Sequence, residues 1–275
     1  MSTRILSVAV ACFIFPVVLA LGQQTPPASS IPAATPSQAD CTGFITSGNV
    51  STDTIVLDGA DNDFRAPIRE FRFGDSVYLY SHGNTKFSVG DQFSIVRPAK
   101  ELFRTTRYNG EYWSIHGLGK PYEDTGRVRV THVTPEGAVA EVNFNCGPIY
   151  PGDIALPYQP RSIPEYVPAK LDRFPLRNGK TLGTIVAARN NYGALKDGDI
   201  VYLNLGQENG ARVGQLYRVY FVLLAPSHWP TFSHAPGPRE TVGEVVVLSV
   251  QEKSSAAIIV NSARDIDLGY GVELE

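Results

Sequence analysis

The sequence has little cysteine. Of three in 275 residues, Cys12 lies inside an N-terminal apolar run, which leaves Cys41 and Cys146 for the rest of the chain. Neither sits in a CxxC and the five histidines are scattered, so no metal site and no cofactor are expected. Basic residues are nowhere concentrated. The chain carries 24 Lys and Arg against 27 Asp and Glu, a formal charge of −3. Nucleic acid and anionic membrane surfaces both need a clustered positive patch and are not expected as partners. There is no Gly-x-Ser-x-Gly elbow and no cluster of titratable groups, so no catalytic residue is assigned and an enzyme is not expected. Helical periodicity is missing too, since no segment holds it for three turns.

What is present begins with a leader. Arg4, the apolar run Ile5 to Leu21 and the small residues Ala20 and Gly22 read as a signal peptide over residues 1–22, with a retained membrane anchor as the other reading. Cleavage before Gln23 leaves no membrane span, and the mature chain is expected in the periplasm or secreted. Residues 23–40 hold four prolines and almost no large apolar side chain, the composition of a disordered linker. In an exported chain the remaining even pair, Cys41 and Cys146, is expected to form a disulfide, with two buried thiols as the alternative. Closing such a loop would stabilise the fold by about 4 kcal/mol.

The body of the chain repeats itself. Gly74-Asp75-Ser76-Val77-Tyr78-Leu79 returns as Gly198-Asp199-Ile200-Val201-Tyr202-Leu203, an offset of 124 that also carries Gly90 onto Gly214. Further on the offset is 117, joining Gly126 to Gly243, Ile149 to Ile266 and Gly152 to Gly269. Between these glycines run short β-branched, period-two segments such as Arg127–Thr131 and Glu244–Leu248. The expected fold is all-β: two tandem, duplicated small β-barrels, because five or six short strands remove their edges by closing. Module one is placed at 41–156, opening with a strand at Cys41–Ile45 and carrying an insertion near 46–70 that includes Thr54–Leu57 as an added hairpin. Residues 157–172, with four prolines, form a linker, and module two spans 173–275.

Gly74, Asp75, Gly90, Gly198, Asp199 and Gly214 read as turn residues, since Gly takes positive φ and Asp caps local backbone. Two loops hold the candidate binding residues: Tyr108, Tyr112, Trp113 and His116 in module one, and His228, Trp229, Phe232 and His234 in module two. Exposed, such aromatics stack on sugar rings or fill a partner's pocket. Buried, each Trp plugs the open end of its barrel, and burial is the expectation here.

The pattern GDIVYLNLGQENGARVGQLYRVY, followed by TVGEVVVLSV and IDLGYGVEL, resembles the small β-barrel repeats that follow LysM domains in bacterial envelope proteins. It is also similar to the C-terminal domain of the flagellar assembly protein T. The resemblance implies a small barrel in an envelope assembly with no catalytic residues to carry over. Ser81-His82-Gly83 and Ile115-His116-Gly117 resemble fragments of L,D-transpeptidases, but Asn84 stands where that family has its cysteine. The expected function is a non-catalytic exported cell-envelope protein, a structural or protein-interaction module whose partner is an envelope protein. The alternative is binding of a cell-wall glycan or other polysaccharide through the loop aromatics.

Overall fold

The structure, a computed structural model, describes residues 29–59, 70–83, 85–99, 111–190, 194–224 and 236–275. Ahead of the barrels lie β1 (Ile31–Pro32), α1 (Pro36–Asp40) and β2 (Phe44–Thr46). The first barrel is built from β3 (Thr54–Gly59), β4 (Ser76–Ser81), β5 (Gln92–Pro98), β6 (Lys120–Thr134), β7 (Gly137–Asn145) and β8 (Ile154–Pro157), with α2 (Glu111–Leu118) between β5 and β6. After β9 (Glu165–Tyr166) the second uses β10 (Leu182–Ala188), β11 (Ile200–Leu203), β12 (Leu216–Leu224), β13 (Pro236–Val250), β14 (Ser255–Ser262) and β15 (Gly271–Leu274). Their strand orders correspond: β3-β4-β7-β6-β5-β8 closing on β3, and β10-β11-β14-β13-β12-β15 closing on β10. The protein is all-β, two tandem six-stranded antiparallel barrels.

Alternation fills each interior. Val77 and Leu79 point in while Tyr78 and Tyr80 point out, as period two requires. Leu79, Ile95, Val128 and Val142 in the first core are answered by Leu203, Val219, Val245 and Ile259 in the second. Cutting Leu79 or Leu203 to Ala would cost about 2–5 kcal/mol. The repeated turns match in detail. Gly74 and Gly198 both have φ of 89°, a value open to glycine and strained for other residues. The Asp75 and Asp199 carboxylates accept from the Arg72 and Lys196 N–H at 2.8 and 2.9 Å. The bridges Phe71–Ile149 and Leu195–Ile266 carry both offsets at once.

The opening strand of the first barrel differs from the expectation. It is β3, not Cys41–Ile45, because Val56 pairs with Leu79 as Ile185 pairs with Leu203. Gly152 N–H donates to Val56 as Gly269 N–H does to Ile185, both at 2.8 Å. Thr54–Leu57 is therefore no added hairpin. Eighteen positions separate Val56 from Gly74 and thirteen separate Ile185 from Gly198, so the first barrel is longer by only five. β2 is an extra strand on the overhanging end of β6, pairing Phe44 with Tyr122.

Two segments expected to be loose are packed. From the stretch assigned as a disordered linker, residues 29–40 are ordered: Thr35 and Gln38 form a capping box on α1, and Ala33, Ala34 and Ala39 are buried. Small side chains suffice because they lie against a preformed apolar wall. In the 157–172 linker, β9 pairs with β1, and Arg161 donates to both Asp124 oxygens (2.6 and 2.9 Å) and to Thr42 Oγ1 (2.6 Å). Cys41 and Cys146 are joined, 105 residues apart. The bond does not join the first and last strands of the barrel. It ties the N-terminal segment to the end of β7, and the barrel is closed by β3 on β8.

That segment covers one wall of the second barrel. Ala33, Ala34 and Ile45, with Ile115 and Leu118 of α2, form one core with Val186, Ile200, Tyr202, Val246, Leu248 and Ile258. Tyr202 donates its hydroxyl to Thr42 C=O at 2.8 Å, and Ser254 donates to Ile45 C=O at 2.5 Å. Burial pushes the Tyr202 hydroxyl pKa upward, so it stays a donor. The matching wall of the first barrel is polar. There Ser76, Arg129, Thr131 and Glu141 stand in place of Ile200, Val246, Leu248 and Ile258. The repeats diverged where one wall became an interface and the other stayed in water.

Candidate functional site

α2 carries the first candidate cluster, on a helix and not on a loop. Glu111, Ile115 and Leu118 share one helical face and are buried, so Tyr112, Trp113 and His116 are turned outward. Eight residues are too few to show a period in sequence. The helix stops at Gly119, where φ is 121° and a Cβ would collide with the Thr46 carbonyl. Only glycine lets the turn press onto β2.

Trp113 is 76 % exposed, so it does not plug the barrel as expected. The residues already filling the inward face of α2, Ile115 and Leu118, leave it no place. Tyr112 meets it edge-on, with ring centroids 5.2 Å apart, and stacks on His116 at 4.0 Å. The His116 ring is held by Nδ1 donating to Tyr112 C=O, 3.2 Å. Beside Tyr112 opens a groove of about 800 Å³. Its apolar lining is Val50, Pro98, Pro121 and Tyr122, the last stacked on Phe44 at 5.3 Å. Thr46, Ser47, Asn49 and Thr52 from the β2–β3 connection supply hydroxyls and an amide, and Lys120 with His116 supplies the basic groups.

Of the sequence candidates, Tyr112, Trp113 and His116 come together here. Tyr108, His228, Trp229, Phe232 and His234 lie outside the described residues. Gly74, Asp75, Gly90, Gly198, Asp199 and Gly214 occupy barrel turns and do not line the groove, nor does the Cys41–Cys146 disulfide. The polar residues 46–52 and Lys120 were not singled out from sequence, because a Ser/Asn/Thr run looks like any turn until β2 folds it against α2.

Two other charged clusters are internally paired. Asp153 is buried, takes the Tyr150 N–H at 2.9 Å and pairs with Arg97 at 3.0 Å. Burial pushes its carboxyl up to about 6. A second cavity of about 420 Å³ holds Arg173 and Arg264, but Glu240 pairs with both, at 2.6 and 3.3 Å. Among the described residues no group of three or more His, Cys, Asp or Glu could hold a metal, and no helix is long and apolar enough to cross a membrane.

Fold and site together define a double barrel with a groove lined by Tyr112 and Tyr122. Compared with known proteins, the chain matches no family model and no curated sequence.

Proposed function

We propose that the chain is a non-catalytic, exported cell-envelope protein that works as a structural and binding module, with the α2 groove as its contact site. The observation that carries this reading is Trp113, 76 % exposed and edge-on against Tyr112, which lines the groove. A large apolar ring held in water costs solvation and is redeemed by a partner that covers it. Export is supported by the disulfide, since such bonds persist in oxidising compartments.

Carbohydrate binding is a second reading, favoured by the lining. Thr46, Ser47, Asn49 and Thr52 beside Tyr112 offer the hydrogen-bonding groups and ring face that sugars use. Co-sedimentation with purified cell-wall sacculi, with and without their bound proteins, separates the readings. Retention only by protein-bearing sacculi supports a protein partner, and retention by bare sacculi supports a glycan. Both need to disappear in a variant lacking Trp113 and Trp229. Retention by neither, or equal retention of the variant, contradicts a role for this surface.

A further inference from the structure

We infer that the groove takes an acidic saccharide, a chain of pyranose rings carrying carboxylates. The inference rests on the carbohydrate-binding reading and adds to it the charge of the ligand.

The chain as a whole is negative, with 27 acidic residues against 24 basic. Yet among the described residues no carboxylate lines the groove, while Lys120 and His116 do. Lys120 is exposed and enters no ion pair among the described residues. Glu252 reaches over from the second barrel, but it takes the Ser47 hydroxyl at 2.6 Å and is not part of the lining. In an acidic molecule with scattered charges, a groove whose described lining is basic and neutral has a local field suited to an anion. The lining also selects against a bare inorganic anion. Tyr112, with Trp113 edge-on against it, and Tyr122 present ring surface, and Asn49, Thr46 and Thr52 add neutral donors and acceptors to the basic groups. A pyranose offers a C–H face to the first, hydroxyls to the second and a ring-borne carboxylate to Lys120. A groove of about 800 Å³ lies within the roughly 300–1,000 Å³ range of small-molecule sites. A protein docking here would need about 800 Å² of contact on its side, most of it outside so concave a surface.

Two sources share this chemistry, uronic acids and the lactyl carboxylate of muramic acid. Calorimetric titration of the disulfide-intact mature protein at low salt addresses both. One pair of probes is tetragalacturonate and its methyl ester; the other is a peptide-free muramic-acid glycan and chitotetraose. The acidic member of at least one pair is expected to bind about fivefold more tightly than its neutral counterpart. Lys120→Ala should bring the two members level, whereas Trp113→Ala should weaken both while leaving their ratio unchanged. The pair that discriminates identifies the source. Equal affinity within both pairs, with binding still lost in Trp113→Ala, overturns the acidic ligand and leaves the carbohydrate reading standing. No binding of any of the four probes overturns both.

Discussion

Arg129 and Glu141 face each other across β6 and β7 on the outer wall of the first barrel, at the register where the second barrel pairs Val246 with Ile258. The duplicated unit thus records which of its walls is covered. The apolar copy lies under residues 33–45 and α2, and the charged copy meets water.

A pair of substitutions tests this asymmetry. Ile258→Glu puts an unpaired charge into the shared core, where Ile258 is buried, and should cost about 3–5 kcal/mol in urea unfolding. Glu141→Ile, at the matching exposed position, should change stability by no more than about 0.5 kcal/mol. Similar costs at the two positions would mean that the second barrel's wall is not covered.

The disulfide should stabilise more than the first barrel. Closing its 105-residue loop is worth about 4–5 kcal/mol in the chain-entropy view. It also anchors the segment that covers the second barrel. Cys41→Ser with Cys146→Ser should therefore lower the unfolding midpoint of the whole chain and open residues 29–46 to limited proteolysis. A variant with an unchanged midpoint and an uncut N-terminal segment would contradict the anchoring role.

The duplication was legible because glycine turns and alternating strands leave marks at fixed spacing. Gly74 and Gly198, or Val77 and Val201, are legible without any knowledge of their neighbours. The first strand of the first barrel was misplaced because Cys41-Thr42-Gly43-Phe44-Ile45 matches Thr181–Val186 in composition as well as Thr54–Gly59 does. Only cross-strand register, Val56 on Leu79, decides between them. The N-terminal cover was hidden for a different reason. Ala33 and Ala34 look like linker residues, and their burial depends on a wall that lies more than 140 residues away in the chain. The aromatics of α2 were visible as candidates, but their exposure was not, since it follows from Ile115 and Leu118 occupying the inward face.

Asp153 predicts a pH dependence. Its pKa rises from the ordinary 3.8 to about 6 in the folded state, chiefly through burial and against the pull of Tyr150 N–H and Arg97. The folded state then holds the proton more tightly than the unfolded one. This group's contribution is most favourable below about pH 4 and is lost as pH rises to about 6. Asp153→Asn removes the titration. The stability difference between wild type and variant, from urea midpoints, should shift against wild type from about pH 4 to 6 and then level off. A difference that stays flat across that window would contradict the raised pKa.

The central claim is that Trp113 stands in solvent against Tyr112 of the groove, and one measurement tests it directly. In Trp229→Phe all tryptophan emission comes from Trp113, the chain having only two tryptophans. Acrylamide should quench that emission nearly as efficiently as it quenches a free indole, with the emission maximum at the long-wavelength, water-exposed end. Short-wavelength emission shielded from acrylamide would place Trp113 inside the protein and remove the exposed ring beside the groove.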